Sequence, residues 1–166
     1  PMAGSGSLIL EAAMIAANVS PGLMRIKCGM NGHRVPPVLR WKNVDGGDGG
    51  VENDWKDLLI AATHDAKDGI NWLRTSGKLK IIANDIHGGA LGICANSLEK
   101  AGFLDVVQLI EGDCNNLEVD EKSFVVTNPP WGVRLTEDME ESWEALRIFI
   151  RSCVPGTEAW VLSGNK

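Results

Sequence analysis

The sequence lacks an apolar run long enough to cross a bilayer. Its longest one covers residues 8–17, and no basic-then-apolar leader precedes it. A membrane-spanning helix needs about 20 apolar residues, and a secretory signal begins with basic ones. The 166 residues therefore indicate a globular chain of one domain with no membrane partner.

Paired cysteines are missing as well. The 4 cysteines are widely spaced without a C-x-x-C pair, and the 3 histidines lie near none of them at a metal-ligand spacing. This pattern argues against a zinc site, and we expect no metal. Unpaired cysteines are typical of a reducing, intracellular compartment, but they do not distinguish cytoplasm, nucleus and organelle.

The sequence also has no excess of basic residues, since its formal net charge is −6. A protein that holds nucleic acid by itself usually presents a basic surface to the phosphates. Either the substrate is not a polyanion, or another segment of the protein provides the affinity for it. A functional loop begins at Pro1, so we expect a partial domain, cut at both ends from a longer protein.

What the sequence does contain is an alternation of strands and helices. Strands are predicted at residues 79–83, 106–110, 124–126 and 159–162, and helices at 8–17, 55–72, 89–101 and 139–151. The first helix is apolar on all faces, so we expect it to be buried on most of them. Alternation predicts crossover connections and a mostly parallel sheet flanked by helices, a Rossmann-like α/β fold.

Polar residues follow three of the predicted strands, namely Asp85, Asp113 and Asn128. Ligands of parallel sheets bind beyond the carboxyl ends of the strands, so one sheet edge should carry all three. Asp85 could accept hydrogen bonds from a ribose diol, and Asp113 from an adenine amine. For each residue a helix cap or turn is the alternative.

The loop Ala3-Gly4-Ser5-Gly6 opens the first helix and could cradle a ligand. Glycine lets the backbone pass close to the ligand, and a helix N-terminus offers unpaired N–H groups. A tight turn is the alternative, and the departure from G-x-G-x-x-G disfavours a dinucleotide site. Together with the two aspartates, in this order on strand-helix junctions, the loop suits one bound nucleoside.

Asn128-Pro129-Pro130-Trp131 is the most specific pattern in the chain. Proline makes the preceding residue extended, and two in succession predict a rigid loop with carbonyls free to point into a pocket. The Asn128 oxygen and a neighbouring carbonyl could accept both hydrogens of an exocyclic NH₂ and direct its lone pair at a methyl donor. Trp131 offers a face for stacking a planar base. An ordinary proline turn is the alternative.

Other polar and aromatic residues receive plainer interpretations. Arg134 could meet a substrate phosphate or form a structural salt bridge. His87 is interpreted as an exposed helix-start residue, and the acidic run at 137–141 as a solvated helix start. The tryptophans other than Trp131, including Trp143 and Trp160, are interpreted as packing residues.

Three regions of the sequence resemble one known family. Residues 1–16 and Ser20-Pro21-Gly22-Leu23 resemble motif I of the RNA guanine-N2 methyltransferases of the UPF0020 type, whose catalytic domain usually follows an RNA-binding THUMP domain. Residues 127–135, including the Gly-x-Arg-Leu tail, resemble motif IV, and residues 162–165 resemble a short segment after the next strand. The resemblance implies a Rossmann-like domain that binds S-adenosylmethionine and acts on RNA.

The resemblance also implies roles for individual residues. Asn128 to Trp131 would hold the target base, and Arg134 would contact substrate. The predicted cofactor-binding residues are Ala3, Gly4, Ser5, Gly6, Asp85, Ile86, Asp113 and Cys114. The chain departs from the family pattern in three ways. The strand and the acidic residue usual before motif I are absent. His87-Gly88-Gly89 replaces the more common polar turn, and Trp131 stands where Tyr or Phe is commoner.

The predicted reaction is methyl transfer from S-adenosylmethionine to the N2 amine of a guanine in tRNA or rRNA, with RNA held through an upstream domain. An N6-adenine nucleic-acid methyltransferase and a protein glutamine methyltransferase use the same kind of loop and are the alternatives. A non-catalytic partner-binding domain is the alternative from another class. It should have lost one of Gly4, Asp85, Asp113 or Asn128, and all four are present.

Overall fold

A computed structural model describes residues 1–27, 50–119, 121–130 and 136–163. Its strands are β1 (Ile81–Asp85), β2 (Val107–Glu111), β3 (Phe124–Thr127) and β4 (Glu158–Val161). Its helices are α1 (Ser7–Ala16), α2 (Pro21–Lys27), α3 (Gly50–Ser76), α4 (Gly88–Ala101) and α5 (Thr136–Ser152). As predicted, α4 lies between β1 and β2, and α5 lies between β3 and β4. Between β2 and β3 the described residues contain a short 3₁₀ turn and no α-helix. In the described part of the chain, no helix combines the length and apolarity that a membrane span requires.

The chain divides into two compact units, and Ala12–Leu79 is the helical one. Its helix α2 was missed by sequence reasoning, which predicted no helix between residues 17 and 55. Proline is favoured at the first position of a helix, because its fixed φ suits the helix and the missing N–H is not needed there. Helix α3 approaches residue Ala17 closely, since a Cβ on Gly69 would overlap the Ala17 carbonyl oxygen.

The second unit, Pro1–Glu11 with Lys80–Lys166, contains the strands. They form two parallel pairs, with Asp85 opposite Glu111 in the β1–β2 pair and Thr127 opposite Val161 in the β3–β4 pair. The prediction of parallel pairing is confirmed. The prediction of one continuous sheet is wrong for the described residues, where β1–β2 and β3–β4 are separate two-stranded sheets.

The segment before α1 connects the two strand pairs at their carboxyl ends. The Ala3 N–H donates to the Asn84 carbonyl of β1 at 2.9 Å. The Thr127 hydroxyl of β3 donates to the Pro1 carbonyl at 2.8 Å. The carboxyl ends of both pairs therefore meet at this segment, as the sequence analysis expected of a single sheet edge.

Helices cover the strand pairs and close the core of this unit. The cluster around α5 and β3 consists of Cys114, Leu117, Val125, Ala145, Leu146 and Phe149. Burial of a large apolar side chain such as that of Phe149 stabilises the fold by roughly 1.5–3 kcal/mol. Helix α4 buries Leu91, Cys94 and Leu98, and its left-handed cap is Gly102, with a φ of 80°, directly after the predicted helix end at residue 101.

Helix α1 departs from the sequence expectation. Its buried residues are Ala13 and Met14, whereas Ile15 is 79% exposed. The prediction that most faces are buried is therefore wrong for this helix. At 3.6 residues per turn, the exposed Leu8 and Ile15 share one side of α1, and the buried Ala13 and Met14 lie on the opposite side.

Candidate active site

The two glycines of the loop before α1 serve different purposes. Gly4 has a φ of 55°, and a Cβ built there would meet no atom within 4 Å, so this part of the backbone is open to a ligand. Gly6 has a φ of 84°, and a Cβ there would overlap the Cys94 sulfur of α4. Gly6 also donates to the Ala3 carbonyl at 2.9 Å and closes a turn. The loop is therefore both a tight turn and an accessible surface.

Asp85 lies at the end of β1 and is buried. Its Oδ2 accepts a hydrogen bond from the Gly4 N–H at 2.8 Å, and its Oδ1 accepts one from the His87 N–H at 2.9 Å. The second bond is the helix-cap role that the sequence offered as the alternative. Each carboxylate oxygen has two lone pairs, so acceptor capacity remains for a diol. The neighbouring Ile86 is 58% exposed and provides an apolar surface beside it.

Asp113 follows β2 and caps a short 3₁₀ turn, Cys114–Asn116. Its Oδ1 accepts from the Asn115 N–H at 3.0 Å. The Cys114 side chain is buried in the α5 core cluster. The predicted contact of this residue with the cofactor would therefore be made by its backbone atoms. Burial and the neighbouring Asp113 charge raise the pKa of the Cys114 thiol, which keeps it protonated.

The turn that carries Asp113 also borders a cleft. The cleft has a volume of about 400 Å³ and lies between this turn and α5. Its lining residues are Asp113, Asn115, Glu140, Glu141, Glu144, Ala145 and Ile148. Glu140 and Glu141 are exposed, which agrees with their interpretation as a solvated helix start. Because most of its polar lining is carboxylate, the cleft suits a group that donates hydrogen bonds and disfavours an anion.

The Asn128-Pro129-Pro130 loop begins where β3 ends. Asn128 is exposed and Pro129 is fully buried, so the loop is anchored behind the asparagine. The Pro130 carbonyl accepts a hydrogen bond from the Trp143 Nε1–H of α5 at 3.3 Å. The expectation that both proline carbonyls are free is therefore wrong for Pro130, because a half-buried indole N–H needs an acceptor and finds one here.

Trp131 and Arg134 lie outside the described residues, as do the Gly-x-Arg-Leu tail and Gly164-Asn165. Their proposed stacking and phosphate contacts stay predictions. His87 is exposed and begins α4 without a side-chain capping bond, as the sequence indicated. Within the described ranges, no group of three or more His, Cys, Asp or Glu residues is placed to hold a metal ion.

Sequence reasoning missed three residues that hold the site in place. Thr127 links β3 to the Pro1 carbonyl, and Trp143 holds the Pro130 carbonyl. Asn84 is buried in β1 and donates through Nδ2 to the carbonyls of Ile110 and Gly112. The signal available for each was a polar group at a position that a strand or helix buries, since such a group needs a partner.

A Rossmann-like arrangement of parallel strands, a glycine loop, two aspartates after strands and an Asn-Pro-Pro loop defines a class, the S-adenosylmethionine-dependent methyltransferases. Within that class, the chain belongs to the UPF0020 family, described as an RMKL-like methyltransferase domain, whose model matches residues 1–161. This membership confirms the family, the enzyme class and the cofactor class that the resemblance predicted. The roles of individual site residues stay predictions.

Curated relatives carry one shared name. The chain is 30% identical to ribosomal RNA large subunit methyltransferase K/L of Allochromatium vinosum over 99% of its own length and 20% of that protein. It is also 30% identical to the protein of the same name from Shewanella pealeana, over 81% of its length and 17% of that protein. The chain thus spans about a fifth or less of the curated relatives it matches.

Solved structures confirm the fold. A predicted N6-adenine-specific DNA methylase from Listeria monocytogenes superposes with a TM-score of 0.65 and 26% identity, over 99% of this chain and 38% of that one. A possible methylase from Clostridium difficile 630 gives a TM-score of 0.64 and 26% identity, over 92% and 34%. SMU.472, solved in complex with SAH, gives 0.61 and 25% identity, over 92% and 33%.

Proposed function

We propose that this chain is the catalytic domain of an RNA methyltransferase that methylates the exocyclic N2 amine of a guanine in ribosomal or transfer RNA. The family match and the ribosomal RNA methyltransferases among its relatives support an RNA substrate. The resemblance of residues 127–135 to motif IV of the guanine-N2 enzymes supports the base and the atom.

One contact carries the proposal, the hydrogen bond from the Thr127 hydroxyl to the Pro1 carbonyl at 2.8 Å. It ties the residue before Asn128 to the segment that leads into Gly4. The proposed methyl-accepting loop and the proposed cofactor loop therefore begin side by side. Positioning two reactants next to each other is the main contribution that such a site can make to methyl transfer.

The described residues fit S-adenosylmethionine. Gly4 leaves open space beside its backbone, and Asp85 and Asp113 supply acceptors for the ribose hydroxyls and the adenine amine. The SAH complex of the related structure SMU.472 supports the same ligand class here. When bound, this cofactor supplies an electrophilic methyl group on sulfur.

Asn128 would orient the amine rather than deprotonate it. Its side-chain oxygen and the Pro129 carbonyl would accept the two amine hydrogens, while the hydrogen bond from Trp143 holds the Pro130 carbonyl in place. This arrangement directs the nitrogen lone pair towards the methyl group. An amide is not a strong base, so the proton leaves to water after transfer.

The acidic charge of the chain supports RNA binding through another region. With a net charge of −6, these residues repel phosphates overall. We propose that residues 1–166 form the catalytic domain only, and that an upstream RNA-binding domain supplies the affinity. Linking a weakly binding catalytic domain to a binding module raises the effective concentration of the substrate base.

Replacing Asn128 tests the mechanism. In the full-length protein, Asn128→Ala should lower methyl transfer to RNA by at least about 100-fold, since loss of one positioned polar group costs that much in comparable sites. Affinity for S-adenosylhomocysteine, measured by calorimetry, should stay within about twofold, because Asn128 contacts the base. Asn96→Ala, an exposed change on α4, is the matched control. Undiminished activity of Asn128→Ala would contradict the mechanism.

An N6-adenine nucleic-acid methyltransferase is the second candidate. It is favoured by the Listeria structure described as a predicted N6-adenine-specific DNA methylase. Nucleoside mass spectrometry of RNA and DNA from cells lacking the gene separates the two. Loss of N2-methylguanosine supports the proposal, loss of N6-methyladenine supports the second candidate, and an unchanged nucleoside profile points to the protein glutamine alternative.

A further inference from the structure

Asn84 is a buried amide at the junction of the three segments assigned to the cofactor. It is the penultimate residue of β1 and is 2% exposed. Its carbonyl accepts from the Ala3 N–H of the glycine loop at 2.9 Å. Its Nδ2 donates to the carbonyls of Ile110 and Gly112, at 3.1 and 2.9 Å. The residue therefore connects β1 to the glycine loop and to the turn after β2.

The turn after β2 depends on Gly112. Its φ of 147° is a conformation that side-chain-bearing residues rarely adopt. The Gly112 N–H donates to the Asp85 carbonyl at 3.0 Å, while its carbonyl accepts from Asn84. Two consecutive residues of β1 thus hold both polar groups of Gly112. This clamp sets the direction in which the chain enters Asp113.

The side-chain oxygen of Asn84 shows that holding Gly112 in this way brings an unfavourable contribution to the stability of the protein. Oδ1 accepts no hydrogen bond from the described residues, although the side chain is buried. A buried polar atom without a partner destabilises a protein by about 1–3 kcal/mol. What the amide contributes in return is the pair of Nδ2 bonds to Ile110 and Gly112. Its effect is therefore concentrated on the turn that leads into Asp113.

We propose that Asn84 is a positioning residue that determines how well the site selects adenine. The inference rests on the proposed function, in which Asp85 accepts from the ribose and Asp113 from the adenine amine. By holding the Gly112 peptide, Asn84 keeps the Asp113 carboxylate aimed at that amine. Loss of the clamp leaves the Asp85 contacts in place and loosens the adenine contact.

The test compares two ligands that differ at the adenine amine. S-adenosylhomocysteine carries this amine, and S-inosylhomocysteine has a carbonyl oxygen in its place and a proton on the adjacent ring nitrogen. With the full-length protein in calorimetry, we expect the wild type to prefer the first by about tenfold or more, the equivalent of roughly 1.4 kcal/mol. Asn84→Leu, similar in size but without donors, should reduce this preference to about twofold, mostly through weaker binding of S-adenosylhomocysteine.

Two further variants keep the test decisive. Asn84→Ser retains one donor and should give an intermediate preference, which also covers a failure of Asn84→Leu to fold. Asn96→Leu, the same replacement on the exposed side of α4, should keep the wild-type preference.

The possible results separate the two proposals. A wild-type preference retained by folded Asn84 variants overturns the role of Asn84, and so does equal weakening of both ligands, which is what a purely structural role produces. Failure of the wild type to bind S-adenosylhomocysteine overturns the proposed function itself.

Discussion

At the scale of single residues, Trp143 gives the clearest case of a side chain whose role depends on its hydrogen bond. The sequence places it on a helix rich in charge, where it is expected to pack. In the structure it also packs partly against the α5 core cluster, and its Nε1–H holds the Pro130 carbonyl at 3.3 Å. Because Pro130 lies two residues after Asn128, this bond restrains the loop proposed to hold the target base.

We expect Trp143→Phe to slow methyl transfer while leaving the cofactor affinity nearly unchanged. The variant keeps an aromatic ring but removes the donor, and one such bond is worth about 0.5–1.5 kcal/mol. The expected fall in kcat is therefore roughly threefold to tenfold. Single-turnover assays of the full-length protein would measure it.

Trp160→Phe is the control for this change. Trp160 is 61% exposed on β4, where its ring lies against Phe124 with centroids 6.3 Å apart. The Trp160→Phe variant makes the same chemical change away from the loop and should leave kcat within about twofold of wild type. Equal effects of the two variants would contradict a specific role for the Trp143 donor.

At the scale of elements, glycines inside helices behave in opposite ways. Gly69 lies within α3, where a Cβ would overlap the carbonyl oxygen of Ala17. Gly92 lies within α4, is exposed, and would place a Cβ in open space. The sequence alone treats both as equivalent interruptions of a helix, because neither the helical period nor the residue type reveals which backbone another segment touches.

Replacing each glycine by alanine should change the stability in opposite directions. Gly69→Ala should lower the free energy of unfolding by about 1–3 kcal/mol, because the new methyl group forces the helix away from Ala17. Gly92→Ala should raise it by roughly 0.5–1 kcal/mol, because alanine loses less backbone entropy in a helix. Urea denaturation followed by circular dichroism measures both, and a stabilised Gly69→Ala would contradict the packing.

At the scale of the whole molecule, the acidic charge of the chain is unfavourable for the proposed RNA substrate. The chain carries a net charge of −6, and the cleft beside Asp113 is lined largely by carboxylates. The relatives with curated names are about five times as long as this chain. The proposed arrangement, in which an acidic catalytic domain receives its RNA from another region, would account for both observations. The intracellular, reducing location expected from the cysteines stays a prediction.

We expect the 166-residue chain to bind RNA far more weakly than the full-length protein. At about 0.1 M salt, fluorescence anisotropy with an RNA hairpin should show at least a tenfold difference, because few phosphates are neutralised by the acidic domain. Binding of S-adenosylhomocysteine by the 166-residue chain is the control for its folding. Equal RNA affinity of the two proteins would contradict this expectation and show that residues 1–166 bind the RNA themselves.

Much of the architecture was predictable from the chain itself. The four strands and their parallel pairing followed from short apolar runs between helical segments. Local signals also located a helix end at residue 101, and Asp85, Asp113 and Asn128 at strand ends. Helix α2 could not be predicted in this way, because Pro21 is equally suited to ending one helix and beginning another.

Residue type and spacing alone indicate the class of this protein, because they carry the order of glycine loop, two aspartates and Asn-Pro-Pro loop. How these parts are held follows only from the folded structure. It showed that Gly6 packs on Cys94 while Gly4 is open, and that Trp143 occupies the Pro130 carbonyl. It also showed that Asn84 clamps Gly112. Such contacts join residues far apart in the chain, so no local pattern records them.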